Sequence, residues 1–350
     1  MFAFIARIVV AHPWRVIAAW VVVAVLIILF SPNLDDRTSN NQQDFLPSSF
    51  ESVKAQDLGN QNFPATAGAT GSLVVSRSDG AVMSPTDQQT ALGLATTLQN
   101  AKIPGVTSVV GSPQSFAPDG KVAALQVAFA GQPGDDVVND AVSDVRTEAT
   151  KDLEGTGLKA GLTGNAAISV DSNNAYADAE QVITIATVII ILLTLGLVFR
   201  SPIIAILPII VIGVVFTAVR GVTAMAAGLF DFEVSTTLDA ILVVVLFGVG
   251  TDYIVFLLFR YREELRQGDS HKPAIILSTK VIGRVVASSA LTVIGAFSAL
   301  FLAKLGSLSS LAPGLIIAVA LMLVTALTLI PAIFTVLDRH LFWPLGPGHH

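Results

Sequence analysis

The 350-residue chain has no cysteine, which excludes a disulfide framework and thiol chemistry. Charge is scarce: only 13% of residues are Asp, Glu, Lys or Arg, against about 25% in an average globular domain. No Gly-rich phosphate loop is present, so no ATPase engine is encoded. His12, His271 and His340 are scattered near helix ends, and the His349–His350 pair ends the chain. None has metal-ligand spacing, so neither a metal nor a cofactor is expected. A net charge of −6 and a pI near 5.3 give no sign of nucleic-acid binding.

Apolar residues are plentiful. They make up 53% of the chain, with a mean hydropathy of +0.70, and they cluster. A spanning helix needs about 20 mainly apolar residues. Six segments qualify, at about residues 14–30, 181–199, 202–226, 236–259, 285–303 and 311–337. The first follows Arg7 and Arg15 like a signal peptide, but its apolar run leads into "SPNLDD" rather than a small-residue cleavage site. It is expected to be retained.

Charge separates the chain into parts. Residues 31–180 hold 18 acidic and 8 basic side chains, a net of −10; the remainder holds 8 and 12, a net of +4. Arg7, Arg15, Arg200, Arg260, Arg262, Arg266, Lys272, Lys280, Arg284 and Arg339 all fall on one side if the six helices alternate. The positive-inside rule then places both termini in the cytoplasm and residues 31–180 outside it. The expected organisation is residues 1–30 as N-terminus and first helix, 31–180 as an extracytoplasmic domain, 181–337 as helices two to six, and 338–350 as a cytoplasmic tail.

The outer domain reads as α+β. Strand-like runs at 71–77, 105–110, 121–129 and 158–164 alternate with helical patterns at 85–101 and 135–150. The order βαββαβ is that of a ferredoxin-like split βαβ unit. Leu125 and Val127 share one face of the third strand and are the expected core residues, with Val122 opposite. Residues 31–70, rich in Asn, Gln and Ser, read as an irregular lead-in. Residues 165–180 read as a helix running straight into the second span. In the connector 260–284, the second half reads as an amphipathic helix lying at the interface before the fifth span turns inward.

One carboxylate stands out. Asp252 lies within the apolar run "LFGVGTDYIVFLLF" (246–259). A charge at membrane depth costs about 2.5–3.5 kcal/mol on insertion scales, so such residues face a bundle interior and mark ion paths. Burial there would favour the protonated acid. A hydrogen bond from a neutral, purely structural Asp252 is the plainer alternative. Tyr253 can donate or accept beside it. Gly248 and Gly250, one turn earlier, allow close approach of another helix or leave room for water. Ser288, Ser289 and Thr292 lie at similar depth on the fifth span, where back-bonding to the helix is the usual role. Arg220 reads as snorkelling outward, and Asp239 as an interfacial residue.

These residues carry a resemblance. "GVGTDYIVFLLFRYREELRQG" (248–268) resembles the fourth-helix signature of the MmpL-type group of the resistance-nodulation-division superfamily. "DFLPSSFESVKAQDL" (44–58) and "GLTGNAAISVDSNNA" (161–175) resemble that group's segments after helix one and before helix two. The resemblance implies a porter-type outer domain and proton-driven export of lipids or other hydrophobic molecules. It also implies a proton relay in which Asp252 and Tyr253 match the Asp-Tyr pair and Ser289 matches a helix-five polar position. Members of the group usually contain two such halves; this chain has one "TDY" and one outer domain. Its expected partners are therefore a hydrophobic or lipid substrate, protons, membrane lipids, and a second copy or a C-terminal half. Accessory translocation proteins of the SecD and SecF type and sterol-sensing membrane proteins share the six-helix unit and stand as alternative functions.

Overall fold

In the computed structural model the described residues are 1–34, 37–39, 45–47, 49–62 and 68–343. Asp44 and Ser48 of the segment after the first span, and most of the C-terminal tail with His349 and His350, lie outside them. The chain divides into two compact units, Ser39–Asp178 and Met1–Thr38 with Ala179–His350.

The membrane unit opens with two helices, α1 (Phe2–Ala11) and α2 (Pro13–Phe30). His12 separates them and Pro13 occupies the first turn of α2, where its missing N–H costs nothing. α1 was not expected from the sequence; its run "FAFIARIVVA" is apolar but too short to span. Ala6, Val9 and Val10 are buried, and α1 packs on the fifth and sixth spans.

Between α2 and the outer domain, the stretch expected to be irregular contains α3 (Glu51–Asn62), with Glu51 favouring its N-terminus. The sheet follows as β1 (Thr70–Arg77), then α4 (Pro85–Asn100), β2 (Val106–Val110), β3 (Val122–Phe129), α5 (Asp136–Asp152) and β4 (Leu158–Thr163). The strands lie in the order β2-β3-β1-β4 and every neighbour is antiparallel. Leu73 stands opposite Leu125 on one side and Leu162 on the other. This is the expected βαββαβ unit. Ala123, Leu125, Val127 and Phe129 alternate inward along β3, and α4 and α5 cover them with Leu94, Leu98, Val138, Val142 and Val145.

Two ionic ties fasten this unit. Arg77, at the end of β1, bonds Asp79 at 2.9 Å and Asp87 at 2.8 Å. Asp87 also completes a capping box with Ser84 at the start of α4. Arg146 of α5 forks onto both oxygens of Asp171 at 2.7 and 2.8 Å. The hydrogen bond from Arg77 holds Asp79 below the usual carboxylate range. The Ser84 backbone N–H and then Arg77 do the same for Asp87, and Arg146 for Asp171. Carboxylates depressed in the folded state stabilise it above their unfolded pKa of about 3.9, and that contribution disappears as pH falls through the folded values. Arg77→Met is therefore expected to raise the pH of acid unfolding of this unit. The shift should be small, because exposed ion pairs contribute little; circular dichroism against pH measures it.

The chain then returns to the membrane unit. The spans are α2, α6 (Asn165–Phe199), α7 (Pro202–Phe230), α8 (Leu238–Arg266), α9 (His271–Ser298) extended by a 3₁₀ turn to Leu302, and a sixth made of α10 (Gly306–Ser309), α11 (Leu311–Leu327) and α12 (Leu329–Leu337). α6 is one helix through residues 165–180 and onward, as expected. α9 corrects an expectation: it runs unbroken from His271, with no separate interfacial helix before the span. Lys280 and Arg284 lie on its exposed side, while Ala274, Ile275, Ser278, Thr279 and Gly283 are buried.

Close helix contacts rest on small residues. A Cβ on Gly221 of α7 would meet Ile27 of α2 at 2.2 Å, so α2 crosses α7 there at backbone range. The sixth span is interrupted at Thr328 (φ −125°, ψ −65°). Pro331 follows, and proline offers no N–H to the turn before it. The Thr328 hydroxyl donates to the Val324 carbonyl at 2.6 Å and accepts Trp20 Nε1 of α2 at 3.0 Å.

Candidate functional site

α8 divides cleanly into two faces. Leu242, Leu246, Gly250, Tyr253, Leu257 and Tyr261 recur every three or four residues and are buried against α7, α9 and α11. On the other side Val244, Gly248, Asp252, Phe256 and Phe259 form an exposed stripe. An acid with two apolar turns on either side thus sits on the outer face of a spanning helix.

The two glycines separate accordingly. A Cβ on Gly250 would touch Ile212 of α7 at 3.0 Å and the Met322 sulfur of α11 at 3.1 Å. Gly250 therefore brings three spans together. A Cβ on Gly248 would meet nothing within 4 Å among the described residues, so none of them packs closely on it.

Asp252 is exposed on this chain, because the helices that bury α8 all lie on the Tyr253 side. Among the described residues it makes no hydrogen bond or ion pair. Tyr253 is 4% exposed, and its hydroxyl lies against the side chain of Ser289 on α9 without a hydrogen bond of regular geometry. Ser289 is exposed like Asp252. Ser288 and Thr292 bond back to Val285 and Ser288 carbonyls, each at 2.9 Å, the expected helix back-bonding. The structure thus brings Tyr253 and Ser289 together at the α8–α9 seam, while Asp252, next to Tyr253 in the chain, and Gly248 lie on the exposed stripe of α8.

Two features went unread in the sequence. Arg220 of α7 does not simply snorkel: it pairs with Asp239 of α8 at 3.4 Å. Tyr261 of α8 and His271 of α9 meet Asp338 beyond α12. Both join residues far apart in sequence. A spacing rule could not have found them, although a lone Arg in an apolar helix is itself a signal for a buried partner. Among the described residues no group of three or more His, Asp or Glu side chains could hold a metal.

Residues 44–348 match the model of the MMPL family. The chain belongs to the MMPL family. Its members are membrane transporters of the resistance-nodulation-division superfamily, not enzymes, and this MMPL chain is a multi-pass membrane protein. The apo-petrobactin exporter of Bacillus anthracis is 29% identical over 350 residues, a match that covers 95% of this chain and 47% of the exporter. A Mycobacterium bovis protein named "Probable transport protein MmpL8" is 30% identical over 345 residues, with 97% of this chain and 32% of that protein covered. A Mycobacterium tuberculosis protein named "Probable transport protein MmpL12" is 28% identical, with 97% and 30% covered. This MMPL chain therefore spans between about a third and a half of the length of these relatives.

Proposed function

We propose that the chain works as one half of a proton-driven exporter of lipids or other hydrophobic molecules, paired with a second copy or with a C-terminal half. The observation that carries the reading is Asp252. It is an ionisable side chain with no hydrogen bond or ion pair among the described residues, on the exposed stripe of a spanning helix, next in the chain to a buried tyrosine. Polar groups in lipid must be satisfied or neutralised, so the stripe calls for a covering helix that supplies a protonatable or hydrogen-bonding surface. In this reading Asp252 carries the proton, while Tyr253 and Ser289 supply hydrogen bonds to its anion. The name of the Bacillus anthracis relative supports export as the direction.

The test is substrate-linked proton movement. In vesicles holding the assembled transporter and a pH-sensitive dye, an imposed proton gradient should drive export and collapse faster when substrate is present. Export that ignores the gradient would overturn the reading.

The two glycines give a sharper expectation about pairing. Gly250→Leu should disrupt the chain's own fold, since overpacking costs about 1–3 kcal/mol. Gly248→Leu should leave the thermal melt of the chain unchanged while abolishing crosslinking between cysteines on α8 and the opposing half. Intact crosslinking in Gly248→Leu would move the contact elsewhere.

The orientation is part of the proposal: both termini in the cytoplasm and residues 31–180 outside. The chain has no cysteine, so single cysteines report cleanly. Thr86→Cys should react with an impermeant maleimide in intact spheroplasts, and Ser270→Cys only after the membrane is opened. The reverse pattern would invert the topology.

A further inference from the structure

We propose that Tyr261, His271 and Asp338 form a second proton-binding site, at the cation-rich end of the α8–α9 hairpin, in which His271 Nδ1 takes up the proton. The Tyr261 hydroxyl lies 2.9 Å from Nδ1, and Asp338 Oδ1 lies 2.6 Å from the same nitrogen. A ring nitrogen either carries a hydrogen or offers a lone pair. It cannot donate to Asp338 and accept from Tyr261 in one state. With Nδ1 protonated, N–H donates to the carboxylate and the Tyr261 bond is broken. With Nδ1 bare, it accepts the tyrosine O–H and the carboxylate loses its donor. Gain and loss of one proton therefore exchange one hydrogen bond for another, with no other reactant.

The surroundings favour this use over plain packing. Tyr261 is fully buried, stacked between Phe334 at 5.7 Å and Phe342 at 5.9 Å, so water does not compete for its hydroxyl. Asp338 Oδ1 is buried and makes no hydrogen bond of regular geometry, its 2.6 Å approach to Nδ1 included. Asp338 also holds a left-handed backbone, φ 48°, a conformation that L side chains rarely adopt and that clusters at functional sites. His271 is partly exposed, which leaves its ring a route to solvent. Several other charged groups near these three in the chain are engaged or exposed. Glu264 of α8 is buried and held by Arg260, which also binds Glu263 at 2.6 Å. Asp269 in the turn, Lys272 on α9, His340 beyond α12 and Arg7 on α1 are exposed. Histidine is the side chain whose ordinary titration falls between about pH 5 and 8.

Position gives the site its role, and this part rests on the relay proposed above. His271, Ile275, Ser278, Ile282, Val286 and Ser289 recur along α9 every three or four residues and share one face. The relay lies at the Ser289 end of that face and His271 at the other. Between them is a cavity of about 10 Å³ lined by Tyr253, Leu257, Thr279 and Gly283 among others, near the minimum for one water. His271 is then the station at which a proton leaving Asp252 meets solvent. Its protonation moves a hydrogen bond from the fourth span to the end of the sixth.

The test uses the full chain, labelled with ¹⁵N-histidine, in lipid nanodiscs. The His271 resonances are assigned by their loss in His271→Gln. Nδ1 should change from acceptor to protonated donor as the pH is lowered. Asp338→Asn should alter only the low-pH signal, and Tyr261→Phe only the high-pH signal. A single Nδ1 state across the range, or spectra indifferent to both variants, would overturn the site. In the assembled transporter, His271→Gln should flatten the pH dependence of export; an unchanged profile would overturn its role in the proton path. Because the spectra need no transport, failure of the Asp252 relay would leave the binding site standing, and the two outcomes can be told apart.

Discussion

Gradient-driven export should fall by about 100-fold or more in Asp252→Asn, with expression and folding intact. Loss of a positioned proton carrier typically costs about 10²–10⁴-fold. Asn reproduces the shape of the protonated acid but has no proton to release. The structure explains why folding should survive: Asp252 lies on the exposed stripe of α8 and bonds no partner among the described residues, so the packed face of α8 does not rely on it. Tyr253→Phe should impair export less completely, since the buried ring still fills its place and only the hydroxyl is lost. Transport in vesicles carrying the assembled complex, normalised to protein level, is the measurement. Full gradient-dependent export by Asp252→Asn would end the relay and leave Asp252 as a hydrogen-bonding group between halves.

The second large effect is on stability. Leu125→Ala should destabilise the βαββαβ unit by about 2–5 kcal/mol. Leu125 is 0% exposed at the centre of β3, the strand flanked on both sides by others, so the void has packed neighbours that cannot collapse into it. Val110→Ala, at the 55% exposed end of β2, should stay within about 0.5 kcal/mol. Urea unfolding of residues 68–178 compares the two. Equal effects would mean that the sheet presents its other face to the helices.

Much of this fold is legible because its signals are local. Spans announce themselves by length, and the inward alternation of Leu125 and Val127 follows from a period of two. The site was half legible. Tyr253 and Ser289 meet across α8 and α9, but which side of α8 is left open depends on where α7 and α11 pack. For that reason the exposure of Asp252 and the different duties of Gly248 and Gly250 could not be read from "GVGTDY". The Arg220–Asp239 pair and the His271 cluster are contacts between distant residues, beyond any periodicity. α1 was missed because ten apolar residues resemble the start of a longer run, and only His12 and Pro13 mark the break.

The interruption at Thr328 makes the sixth span two rods in series rather than one. The hydrogen bond from Trp20 pins the joint to the first span. The shorter rod, Leu329–Leu337, leads to Asp338; the longer rod, Leu311–Leu327, carries Met322 against Gly250. With the ladder cut between them, the short rod can tilt about its pivot without dragging the long one.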